Sequence, residues 1–112
     1  MRLGRLAIEV RAPEVAEPFF RHAVEMQPNL ASARQQLGLD LLVLGRHADA
    51  ARELAEAVRL DPRDVESLSR LAYCEAELGR TADARAHAHA ALAINPDDPL
   101  AKQLAAALGR TR

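Results

Sequence analysis

Pro28, Pro62 and Pro96 follow one another at intervals of 34 residues. Other columns keep the same step. Leu3, Leu37 and Leu71 lie on it, each followed by a small residue: Gly4, Gly38 or Ala72. Ala16, Ala50 and Ala84 lie on it, as do Ala23, Ala57 and Ala91, the pair Gly45 and Gly79, and the pair Leu60 and Ile94. So many columns in one register imply an internal repeat. A unit this short cannot bury its own apolar face, so the units must stack and share one continuous core.

Each unit reads as two helices. Ala31 to Leu44 carries Leu37, Leu41 and Leu44 at the spacing of an amphipathic helix. Gly45 ends it, because glycine accepts the left-handed conformation at a helix C-terminus. Ala48 to Leu60 repeats the rhythm with Ala50, Ala51, Leu54, Ala57 and Val58, and Asp61-Pro62 closes it. Val65 to Leu78 and a helix from about Thr81 restate the pattern around Gly79. Thr81, Asp64 and Asp98 are candidate N-caps, and Pro99 suits a first helical position. Composition agrees, since the apolar share of 49% is mostly Ala and Leu, the best helix formers.

These features resemble the tetratricopeptide repeat family, a helix–turn–helix unit with small and large apolar residues at set offsets and a late proline. Leu37-Gly38, Leu41, Ala50, Leu54, Ala57 and Pro62 carry the likeness in one unit. Leu68, Leu71-Ala72, Ala84, Ala91 and Pro96 carry it in the next, and Leu3-Gly4, Ala7, Ala16, Phe20, Ala23 and Pro28 in the first. The resemblance implies an all-α, right-handed superhelical solenoid of antiparallel helix pairs with a C-terminal capping helix. Its divisions are a shortened repeat at 1–30, repeats at 31–64 and 65–98, and a capping helix at 99–110, apolar on one side through Leu100, Leu104 and Leu108.

Four positions depart from the pattern. Arg34 stands where the family prefers a large aromatic. Glu75 fills a column usually bulky and apolar, and Ala88 opposite replaces a large residue. The expectation is that the Glu75 side chain escapes to water, with Arg80 as a conceivable partner. Pro18 falls within the second helix of the first unit, where it removes a hydrogen bond and clashes with the preceding turn, so that helix should kink or begin late.

Fifteen basic against sixteen acidic residues give a net charge of −1. The arginines are interleaved with Asp and Glu, without the basic face a nucleic-acid binder shows. Cys74 is the one cysteine, which excludes an intrachain disulfide and a thiolate zinc site and fits a reducing compartment. The Met1-Arg2-Leu3-Gly4-Arg5 start has no apolar signal core, and no stretch approaches a membrane span. The expected setting is cytoplasmic, with no membrane partner. His87 and His89 point about 200° apart on a helix and cannot share an ion. His22 and His47 have no companion at metal spacing, so all four are read as solvated surface residues. With no phosphate loop and no nucleophile–base constellation, the chain is expected to be non-enzymatic, without metal or cofactor.

The side of each leading helix opposite its packed face remains for function. It carries Ser32, Gln36, Leu39 and Val43 in one unit, and Glu66, Arg70, Tyr73 and Glu77 in the next. In the first unit the same side carries Arg2, Arg5 and Glu9. In the resembled family these helices line a concave groove that binds peptides. The implied groove residues are Arg2, Arg5, Gln36, Leu39, Val43, Glu66, Arg70 and Tyr73, and the implied partner is a protein or peptide. Leu39, Val43 and Tyr73 can equally pack between adjacent leading helices. The cation set with which some members grip chaperone tails is incomplete here, since Met1 and Glu66 stand where cations are needed. A rival reading is a structural module that self-associates through its N-terminal end, where Leu3, Leu6, Ile8 and Val10 lack a cover. A solenoid end needs one.

Overall fold

The computed structural model describes the backbone of residues 13–27 and 29–109, with side chains from Pro18 onward. Six helices and no strand occur among the described residues: α1 (Pro13–Met26), α2 (Ala31–Val43), α3 (His47–Leu60), α4 (Val65–Glu77), α5 (Thr81–Ile94) and α6 (Pro99–Leu108). Each helix packs on the next in sequence, and α4 also meets α6. α2 with α3, and α4 with α5, form the antiparallel pairs, and α6 covers the last pair. The leading helix expected at residues 2–10 lies outside the described residues.

The turns follow from two residue choices. Gly45 and Gly79 have φ of 81° and 80°, in the left-handed region. They let the Arg46 amide reach back to the Leu41 carbonyl at 2.9 Å, and the Arg80 amide to Glu75 at 2.8 Å. With the Gly45-to-Leu42 and Gly79-to-Ala76 bonds, both turns are Schellman closures that satisfy orphan carbonyls. The α3–α4 and α5–α6 turns end at aspartate caps, whereas the α1–α2 turn ends at Leu30, which makes no side-chain cap bond. Asp64 accepts from the Ser67 amide, and Asp98 from the Ala101 amide with Pro99 at the first helical position. Thr81 is not a cap. It is the first residue of α5, and Arg80 takes the cap position without a side-chain bond.

Pro18 lies inside α1, which nevertheless begins at Pro13, 34 residues before the start of α3 at His47. The late start expected of this helix does not occur. It keeps the common register and forgoes the hydrogen bond that a proline nitrogen cannot donate.

The core is built on the repeat columns. Around α2 and α3, Leu37, Leu41, Ala50, Leu54, Leu71 and Cys74 are buried in one cluster, with Val24 of α1 and partly buried Phe20 closing one side. Around α4, α5 and α6 the cluster is Ala72, Ala84, Ala88, Leu104 and Leu108. The two units solve the same close approach differently. A Cβ on Gly38 would sit 2.6 Å from Leu54 Cγ, so α2 keeps a glycine opposite the leucine of α3. In the next unit the corresponding residues are Ala72 and Ala88, both fully buried, so a larger residue on the leading helix is matched by a smaller one on its partner. The short Ala88 seen as a departure is thus half of an exchange of volume.

Candidate functional site

The leading-helix face expected to bind is partly covered. Leu39 is buried and Gln36 half-buried, whereas Val43 is 44% exposed. On α4, Glu66 is exposed and pairs with Arg70 at 2.9 Å across one helical turn. The Arg70 side chain is only 13% exposed, so its charge reaches the surface next to a carboxylate. Tyr73 occupies the column of Leu39 one unit later. It is half-buried, packs on the cores of both units, and its ring lies 6.1 Å from that of His47. Among the described groove residues the face therefore offers one aromatic edge, one exposed valine and one charge pair. Arg2 and Arg5 lie outside the described residues.

The buried polar groups follow a second pattern, tied to one column of the trailing helices. Glu53 of α3 and His87 of α5 are equivalent by the repeat. Glu53 accepts a 2.8 Å ion pair from Arg34 of α2, both side chains being mostly covered. His87 Nδ1 lies 2.7 Å from Glu75 Oε1 of α4, with the Glu75 side chain 9% exposed and the His87 side chain 33% exposed. Both unusual residues on leading helices, Arg34 and Glu75, thus have partners in the same trailing-helix column. The expectation that Glu75 reaches water, or Arg80, is corrected: it is buried and bonded to His87. His87 is accordingly not a solvated surface residue, whereas His22 and His89 are exposed. The Glu75 hydrogen bond raises the His87 pKa above its ordinary 6.5, against the opposing effect of burial.

A third buried polar knot joins the two units. Asp64, while capping α4, also accepts from Ser67 Oγ at 2.6 Å and from Gln35 Nε2 of α2 at 3.0 Å. Gln35 gave no sequence signal, because a glutamine on a helix face has many solvent-exposed uses. Cys74 is fully buried, and burial pushes its thiol up to about 12, which keeps it protonated and inert at neutral pH. Among the described residues no three His, Cys, Asp or Glu side chains gather where an ion could sit. No described helix is long and apolar enough to cross a membrane.

Comparison with known proteins agrees with this architecture. The tetratricopeptide repeat family model matches residues 36–99. No curated protein matches the sequence. Among solved structures, the first TPR of Spaghetti (RPAP3), bound to the HSP90 peptide SRMEEVD, superposes with a TM-score of 0.83 at 15% identity, over 88% of this chain and 78% of that one. The second TPR domain of human RPAP3, in complex with the HSP70 peptide SGPTIEEVD, gives 0.82 at 15% identity, over 88% and 82%. YrrB, described as a TPR protein with an unusual peptide-binding site, gives 0.74 at 27% identity, over 81% of this chain and 47% of that one. The family match covers most of the α2–α3 pair and all of the α4–α5 pair, whose columns, glycine turns and late prolines are those set out above, and the chain belongs to the tetratricopeptide repeat family.

Proposed function

We propose that the chain is a non-enzymatic scaffold that holds a protein or peptide segment on the concave face of its leading helices. The observation that carries this reading is the arrangement on α4, where half-buried Tyr73, its ring beside His47 of α3, lies one helical turn from the Arg70–Glu66 pair. A packed aromatic with an accessible edge gives a ligand apolar burial at little entropic cost, and an adjacent arginine gives direction. The HSP90 and HSP70 peptides bound by the RPAP3 domains show that solenoids of this shape can hold such ligands. Val43 and Gln36 extend the surface along α2, and Arg2 and Arg5 would continue it.

Selection from a peptide array, followed by calorimetric titration of the selected peptide at low and high salt, tests the proposal. Tyr73→Ala should weaken binding at both salt concentrations. Arg70→Ala should weaken it too, with a smaller salt dependence than a fully exposed charge would show, because the Arg70 side chain is mostly covered. Unchanged affinity in both variants would exclude this face.

A second reading, self-association through the N-terminal side, draws on one observation. Phe19 and Met26, two turns apart on α1, are 68% and 69% exposed. Light scattering over a range of concentrations decides it, since a strict monomer excludes this reading and a dimer dissociated by Phe19→Glu supports it.

A further inference from the structure

On the other flank of α4 from Arg70 and Tyr73, the backbones of the trailing helices α3 and α5 stand apart. A cleft of about 380 Å³ opens there between α3, α4 and the turn at Arg80, at the low end of the ~300–1,000 Å³ range of small-molecule sites. Its wall on α3 is Ala48, Ala51 and Ala55, its floor is Leu71 and Glu75 of α4, and Arg52 and Arg80 stand in its lining. Burial orders these residues in depth. Leu71, Ala51 and Glu75 are buried, while Ala48, Ala55, Arg52 and Arg80 are exposed. The cleft exists because α3 presents alanines to it and because the apolar column of α4 holds a carboxylate there.

The charges are separated along this depth. At the bottom is the Glu75 carboxylate, whose Oε1 is engaged by His87 and whose Oε2 can accept a further bond. At the mouth are two guanidinium groups. Arg52 shares its charge with Asp49, and the Arg80 side chain makes no ion pair among the described residues. All three side chains line the same cleft of about 380 Å³, so the positive mouth and the negative floor lie within one small ligand's reach. A purely apolar occupant would strip water from Glu75 and replace none of its hydrogen bonds. A simple anion would suit the arginines and leave Glu75 Oε2 without a donor, and a simple cation would meet the reverse. A small zwitterion with an apolar body answers all three surfaces.

We propose that this cleft binds a free aliphatic α-amino acid of about leucine size, with its ammonium on Glu75, its carboxylate at Arg80 and Arg52, and its side chain against the alanines. This site is separate from the leading-helix face and does not depend on peptide binding there.

Titration of the isotope-labelled full chain with L-leucine, followed by amide chemical shifts, tests it directly. N-acetyl-L-leucine, which lacks the ammonium, and L-leucinamide, which lacks the carboxylate, are the matched probes. Saturable shifts are expected at Ala48, Ala51, Ala55 and Arg80, with a Kd of about millimolar order for so few atoms. Each blocked derivative should bind at least about tenfold more weakly, because each removes a charge-assisted contact. Arg80→Gln should weaken leucine by a similar factor, and Ala55→Phe should fill the cleft and abolish binding. Both positions are exposed, so both variants should retain the fold, which circular dichroism confirms independently. Absence of localised shifts, equal binding of either derivative, or undiminished binding to the Ala55→Phe variant would each overturn the proposal.

Discussion

Glu75 and His87 meet at 2.7 Å between α4 and α5, and the contact makes stability depend on pH. The folded-state pKa of His87 is raised by that hydrogen bond, with the nearby Asp83 charge acting in the same sense. Below the unfolded-state pKa the imidazole is protonated in both states, and the stabilisation from Glu75 is fully present. As pH rises above 6.5 and through the folded-state pKa, the folded protein gives up that proton and the stabilisation is lost. The urea midpoint should therefore fall as pH rises above 6.5 and through the raised folded-state pKa of His87. His87→Gln should flatten this slope, and an unchanged slope would show that other groups set it. Glu75→Leu should be destabilising at the lower pH, where it leaves a charged imidazole without its acceptor. At the higher pH it should be close to neutral, because leucine suits this apolar column. The half-exposed histidine can turn to water, which limits the loss.

The helix ends show a similar division of labour. Asp64 and Asp98 cap α4 and α6 alike, but Asp64 also holds Ser67 Oγ and Gln35 of α2. Asp98→Ala should cost about 1 kcal/mol, the usual loss of a cap. Asp64→Ala should reach about 2 kcal/mol, because it also leaves Gln35 and Ser67 without their acceptor. Denaturant melts compare the two, and equal losses would mean that the link to Gln35 contributes nothing. The close approach of α2 and α3 gives another expectation. Gly38→Ala should cost about 1–3 kcal/mol, since its Cβ would meet the buried body of Leu54. In a Leu54→Ala background most of that penalty should vanish, which a double-mutant cycle measures as coupling. The helices themselves were legible in the sequence because period, glycine turns and aspartate caps agree on the same boundaries. The partners of Arg34, Glu75 and Gln35 were not. A one-dimensional pattern marks an unusual residue in its own column, and the answering residue lies on another helix, 12 to 29 positions away. Of the groove, the face was legible but its covering was not: Leu39 and Tyr73 share a column, yet one is buried and the other half-exposed.

Stability across the whole molecule should be uneven, because the two units fill their interiors with different material. The α2–α3 unit owns five buried leucines, Leu37, Leu39, Leu41, Leu42 and Leu54. Between α4 and α5 one cluster is alanine, closed by Leu104 and Leu108, which α6 lends to it, and the other sets Leu68 against Ala91 and Ala101 of α6. Alanines bring helices close but bury little area each, so apolar stabilisation there depends on α6. Arg85 strengthens the attachment by donating to the Leu108 carbonyl at 2.9 Å, where the end of a helix carries partial negative charge. Leu104→Ala removes a fully buried side chain and should cost about 2–5 kcal/mol. In a stacked array that loss should appear first where the contact was made. Native-state hydrogen exchange is the measurement. In the Leu104→Ala variant the amides of α5, among them Ala88 and Ala91, should lose protection before those of Leu41 and Leu54. A uniform loss through both units would mean that the chain opens only as a whole, with a stack too short for its ends to act separately.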